Sequence, residues 1–130
     1  MSTLEDFLEM SDVSEITDTI KVKVGGKIYE LKIRALSEEE HSDFQKCALN
    51  IGKKGSVKFD KGKYDSLIIP TCIVEPNFRN AEFLQKAKCQ TAWDFLTKKF
   101  PSGVLVDISA KIQELSGFES LEEEVENAKN

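Results

Sequence analysis

The segment from Tyr64 to Pro76, reading Tyr-Asp-Ser-Leu-Ile-Ile-Pro-Thr-Cys-Ile-Val-Glu-Pro, leaves this chain the least freedom. Removing one large aliphatic side chain from water is worth roughly 1.5–3 kcal/mol. Leu67, Ile68, Ile69, Ile73 and Val74 therefore cannot all stay exposed, and the segment is expected at the buried centre with the other elements covering it. Pro70 falls inside it. A proline within a helix deletes one backbone hydrogen bond and clashes with the preceding turn. The expectation is a buried helix that is either kinked at Pro70 or properly begun only near Ser66, with Asp60 as a cap upstream.

The flanking sequence supplies the cover. Leu4, Phe7 and Leu8 recur at helical spacing among acidic residues, predicting a short amphipathic helix within residues 1–15. Such a helix is too short to be stable alone, so it must dock on the body, dock on a partner or stay mobile. Ile20, Val22 and Val24 alternate with lysines, Gly25-Gly26 offers a tight turn, and Ile28, Leu31 and Ile33 follow, predicting a β-hairpin over 16–36. The alternation slips between Ile28 and Leu31, where a bulge or a different turn is expected. Ser37 and Glu40 form a capping-box pattern. The helix they open carries Phe44, Cys47, Ala48 and Ile51 and ends at Gly52. Residues 52–62, rich in Lys and Gly, read as a solvated loop with room for a short strand at Val57 and Phe59.

Asn80 and Thr91 are placed to cap helices over Ala81–Lys88 and Ala92–Phe100. In the second, Trp93, Leu96 and Phe100 read as core. A further helix after Pro101 presents Val104, Ile108, Ile112 and Leu115, and Gly117 is its expected stop. Residues 118–130 carry Phe118, Leu121, Val125 and Ala128 on one face and glutamates on the other. That segment is either a capping helix packed on the body or a partner-binding helix.

Composition narrows the function. The chain of 130 residues is long enough for one domain with its own core. Its net charge of −5 argues against a general affinity for nucleic acid. No apolar run has the length of a membrane span and no signal peptide is visible, so no membrane partner is expected. The three cysteines, Cys47, Cys72 and Cys89, lack metal-ligand spacing and suit a reducing compartment, with Cys72 expected in the core. Phosphate-cradle, dinucleotide, zinc-protease and nucleophile-elbow motifs are all missing. His41, the single histidine, is expected at the surface without a catalytic partner. The residues thus point to a protein without an active site, metal or cofactor.

Taken in order, several phrases carry a resemblance. They are Lys32-Ile-Arg-Ala-Leu-Ser-Glu-Glu-Glu40 after the hairpin, Phe59-Asp-Lys-Gly-Lys-Tyr-Asp65 leading into the apolar segment, Val74-Glu-Pro-Asn-Phe78, Asn80-Ala-Glu82, and Ile112-Gln-Glu-Leu-Ser-Gly-Phe118 running to Glu126-Asn-Ala-Lys-Asn130. In order, spacing and total length the chain resembles the XkdN-like tail assembly chaperones of phages and defective prophages of Gram-positive bacteria. It departs from them at Pro70 and, more mildly, at Phe100-Pro-Ser-Gly-Val104. The resemblance implies a non-enzymatic assembly factor of the host bacterial cytoplasm that binds the long, helical tape measure protein and is absent from the finished particle. The tail tube protein is a further candidate partner, and self-association into a homo-oligomer is left open. The alternative is a minor tail component retained in the particle. Chaperones of this kind are often made in two forms by a minus-one frameshift, and Ala128-Lys129-Asn130 could be encoded by GCA-AAA-AAC, which contains a slippery heptamer.

The resulting expectation is one mainly α, α+β domain over 1–130. An N-terminal β-hairpin packs on a small bundle of about five helices over 37–117. The partner-binding candidates are Leu4, Phe7 and Leu8 at one end and Phe118, Leu121 and Val125 at the other.

Overall fold

A computed structural model describes residues 1–118. The element order is α1 (Leu4–Leu8), β1 (Thr17–Val24), β2 (Lys27–Arg34), α2 (Glu38–Cys47), β3 (Leu49–Ile51), β4 (Val57–Phe59), α3 (Lys61–Cys72), β5 (Ile73–Glu75), α4 (Ala81–Ala87), α5 (Ala92–Lys99) and α6 (Ser102–Leu115). The fold is α+β and mainly α. Strands β1, β2 and β5 form one antiparallel sheet, in that order, and β3–β4 form a separate hairpin. Helix α6 packs on β1 and β2, and α3 packs on α6 with α2 and α5 beside it.

The apolar segment is indeed central, but it is not one helix. Helix α3 starts at Lys61, where the Lys63 amide donates to Asp60 Oδ1, and it continues through Pro70 to Cys72. The chain then switches directly into β5, which pairs Ile73 with Ile33 and Glu75 with Lys32. Two local preferences support the switch. Ile73 and Val74 are β-branched, and the residue before a proline, here Glu75, is pushed toward extended backbone. Ile68, Ile69, Cys72 and Ile73 are buried, Leu67 is half-buried and Val74 is exposed.

The β1–β2 pairing is regular from Thr17↔Arg34 to Val24↔Lys27, so the bulge expected near Ile28 is absent. Alternation is kept because Tyr29, not Ile28, holds the position on the Leu31–Ile33 face, while Ile28 opposes Lys23 on the outer face and is 67% exposed. The register shift in this sheet lies instead between Lys32 and Ile33, on the β5 side. Gly25 and Gly26 both have positive φ, which is why the turn needs them.

Helix α2 ends at Cys47, earlier than its apolar spacing suggested. Leu49–Ile51 forms a strand against Val57–Phe59, and the Lys- and Gly-rich segment is the turn between them. The start of α2 is as expected. The Glu40 amide donates to Ser37 Oγ and the Ser37 amide donates to Glu40 Oε1, both at 3.2 Å. Glu40 also receives both arms of the Arg34 guanidinium, at 2.8 and 2.7 Å, which ties the end of β2 to the first turn of α2. At the other end of the body, Gly117 takes φ +95°. The Phe118 and Gly117 amides donate to the Gln113 and Glu114 carbonyls, closing α6 as a Schellman stop.

The core joins Leu31 and Ile33 of the sheet to Ile68, Ile69 and Cys72 of α3, Leu96 of α5, and Ile108 and Ile112 of α6. A satellite of Phe78, Phe83, Phe95 and Phe100 fastens α4 to α5. In it the Phe83 and Phe95 rings are edge to face at 4.9 Å and the Phe78 and Phe95 rings are stacked at 5.5 Å.

Three substitutions test this account. Ile33→Ala should cost about 2–5 kcal/mol in urea unfolding, as expected for a cavity at a buried aliphatic. Ile28→Thr should stay within about 0.5 kcal/mol, because that side chain faces water; equal losses would mean the face assignment is wrong. The hydrogen bonds from Arg34 hold the Glu40 carboxyl down at about 2 against an ordinary 4.5, overcoming the opposing effect of burial. A carboxyl depressed on folding stabilises the protein above its unfolded pKa and loses that contribution as pH falls through the folded value. Glu40→Gln should therefore lower stability at pH 7, and its gap from the wild-type protein in urea midpoint should close as pH falls from about 4.5 to about 2.

Candidate functional site

The segment between α1 and β1 meets the end of α6 at one place. Val13 and Ile16, which follow α1, lie across a groove of about 290 Å³ from Leu115, Ser116 and Phe118, which end α6. Its floor is the β2–α2 corner, with Ala35, Leu36 and Ser37, and His41 of α2 stands at its side. Two hydrogen bonds hold the corner in position. The Ala35 amide donates to the Ile16 carbonyl at 2.9 Å, and the Leu36 amide donates to Ser116 Oγ at 2.8 Å. The hairpin base, the α2 start and the α6 end are thus fixed relative to one another.

His41 is not the free surface residue expected from its acidic neighbours. It is half-buried, with Nδ1 2.6 Å from Tyr64 Oη and its ring 4.9 Å from that of Phe118. The Tyr64 ring in turn lies 5.6 Å from Phe59. This aromatic row leads from the point where the chain leaves α6 to the β3–β4 hairpin. Burial pushes the Tyr64 phenol up to about 12, so it stays protonated as a hydrogen-bonding group. Burial likewise pushes the Cys72 thiol up to about 12, the behaviour of a core residue rather than a nucleophile. Among the described residues no group of three His, Cys, Asp or Glu side chains is placed to hold a metal ion, and no helix is long and apolar enough to cross a membrane.

The sequence-based candidates are placed as follows. Leu4, Phe7 and Leu8 sit on α1, which is closed by a Thr3–Asp6 capping box, and all three are exposed, at 84%, 60% and 84%. The helix forms without burying its apolar side chains on the body. Phe118 is packed against His41 yet remains 41% exposed at the groove. Leu121 and Val125 lie outside the described residues. The groove therefore joins Phe118 to the segment following α1, while the α1 side chains themselves stay in water.

Sequence reasoning missed a second open apolar surface. Leu49, Ile51, Val57 and Phe59 of the β3–β4 hairpin are all exposed, Ile51 at 83% and Val57 at 62%. Lys58 opposes Asn50 on the other face of the hairpin and Lys53 and Lys54 lie in its turn, so an apolar face is flanked by basic residues on a chain that is acidic overall. The signal was present as two short alternating sets, Leu49/Ile51 and Val57/Phe59. It was obscured because Ile51 also continues the three- and four-residue spacing of α2. What the groove, α1 and the hairpin offer is adhesive surface: apolar patches beside charge, suited to binding another polypeptide.

No curated protein sequence matches the chain. Among solved structures, the crystal structure of the protein YqbN is similar, with a TM-score of 0.62 at 14% sequence identity, covering 92% of this chain and 99% of that one. At that identity the likeness concerns the fold. The family described as phage XkdN-like tail assembly chaperone protein matches over residues 4–129. The chain thus belongs to the XkdN-like tail assembly chaperone family of phages.

Proposed function

We propose that this protein binds the tape measure protein of a phage or prophage tail during assembly of the tail tube. It does so in the host bacterial cytoplasm and leaves before the particle is complete. Within a family of tail assembly chaperones, the supporting observation is the apolar surface that the fold leaves open on α1, at the terminal groove and on β3–β4. A long helical client exposes apolar stripes until it is enclosed, and an amphipathic stripe is recognised by apolar side chains that can replace its missing neighbours. The net charge of −5 keeps such a complex dispersed. The chemistry asked of the protein is binding alone, with no cofactor.

Co-expression with the tape measure protein of the same phage or prophage tests this reading. The tape measure protein should gain solubility and co-purify, and failure of both would sink the proposal. Leu4→Asp with Phe7→Asp, or Ile51→Asp with Val57→Asp, should weaken co-purification while leaving thermal unfolding nearly unchanged, because these side chains are exposed. Leu121→Asp with Val125→Asp extends the test beyond the described residues. Mass spectrometry of purified tails should not find the chain; its presence there would make it a retained tail component. The proposed longer, frameshifted form requires an AAA codon at Lys129 and an overlapping downstream frame, both readable in the gene.

A further inference from the structure

Asp65 is the one buried charged side chain among the described residues, 9% exposed on the inner side of α3. Its Oδ1 accepts a hydrogen bond from Ser109 Oγ of α6 at 2.6 Å, and Ser109 Oγ accepts in turn from Gln113 Nε2 at 3.0 Å. These partners are neutral. The ion pairs among the described residues join Arg34 to Glu40, Lys86 to Glu82 and Lys98 to Asp94, and none involves Asp65. A carboxylate taken out of water is costly unless a cation or several donors meet it. No donor among the described residues reaches Oδ2, yet no fully buried side-chain oxygen is left unpartnered, so Oδ2 keeps access to solvent.

Asp65 lines a cavity of about 360 Å³ between α3, α5 and α6, together with Trp93, Phe100, Leu105 and Val106. The volume falls within the roughly 300–1,000 Å³ typical of ligand sites. The Asp65 carboxyl group, a half-buried indole, aliphatic and phenyl groups, and the side chains of Thr97 and Ser102 line the cavity. A ligand that matches the carboxyl group and the apolar wall carries a positive charge at the end of an apolar stem. A metal ion is not such a ligand, since Asp65 is the only carboxylate lining the cavity and no other His, Cys, Asp or Glu side chain among the described residues joins it in a metal-holding group. Between the two basic side chains, the planar guanidinium stacks on an aromatic face and sheds its water more readily than an ammonium.

We propose that this cavity receives an arginine side chain from a partner polypeptide, with the guanidinium on Asp65 and against Trp93 and the stem along Leu105 and Val106. The assignment of that arginine to the tape measure protein rests on the function proposed above; the site itself does not.

Trp93 is the only tryptophan in the chain, so its fluorescence reports on the cavity directly. The full chain is titrated with N-acetyl-argininamide and, separately, with its uncharged isostere N-acetyl-citrullinamide. A saturable change in Trp93 emission in the millimolar range is expected for the arginine compound, weakened by added salt and absent with the citrulline compound. Asp65→Asn, which keeps an acceptor for Ser109, should weaken binding about tenfold or more, as for loss of a charge-assisted hydrogen bond. No saturable change, an equal response to citrulline, or an unaltered Asp65→Asn titration would each overturn the site. If Asp65→Asn does not fold, the citrulline and salt comparisons on the wild-type chain decide alone. A positive titration with undiminished co-purification of the tape measure protein by Asp65→Asn would overturn only the assignment of the arginine to that partner.

Discussion

The burial of Ile68, Ile69, Cys72 and Ile73 decides where the rest of the molecule lies. The first three belong to α3, which packs against α2, α5 and α6, and the fourth lies in the sheet, in the strand that begins at the next residue. Because no loop separates α3 from β5, the helical layer and the sheet are held together by the chain itself as well as by side-chain packing. The third strand exists only because this junction delivers Ile73 to the edge of β2. A mainly helical bundle with a loosely attached hairpin thereby becomes a two-layer α+β core.

Around that core the fold is selective about what it covers. The sheet buries Leu31 and Ile33 but leaves Ile28 out; α3 buries its centre, while α1 and the β3–β4 hairpin keep apolar side chains in water. Exposed apolar groups of this extent do nothing for the stability of the single chain and favour association. Their locations have a logic in the wiring. The Ala35 and Leu36 amide bonds bring the residue before the hairpin and the last turn of α6 to the same corner. The row Phe118, His41, Tyr64, Phe59 runs from that corner to the basic hairpin. Apolar surface thus stays open at several places on a body whose core is closed.

Several parts of this arrangement were legible because they depend on near neighbours in sequence. The caps at Ser37, Asp60, Asn80 and Thr91 need only a side chain three residues from an amide, and all four are made. The Gly25-Gly26 turn and the Gly117 stop follow from backbone freedom at single residues. The exposed stripe of α1 was readable as a stripe, though not its fate. What failed were readings in which one apolar run fits two periods. Ile51 suits the α2 spacing and also a strand opposite Val57. Ile73 and Val74 suit the α3 stripe and also a strand opposite β2. In short runs the apolar pattern is the same either way, and the partner that settles it lies far along the chain.

By itself, then, the sequence determined which segments become helices, where most of them start, which hairpin leads the fold, and that most aliphatic side chains of the Tyr64–Pro76 segment must be inside. Each of these follows from local hydrogen bonding, backbone freedom or the amount of apolar surface to be hidden. Only the tertiary structure decided that α3 passes into β5, that His41 is gripped between Tyr64 and Phe118, and that Asp65 is buried beside Ser109 at the foot of the Trp93 cavity. Those outcomes depend on groups that are distant in sequence meeting in a layer whose geometry no local pattern contains, and on the cost of burying a polar group once it arrives there.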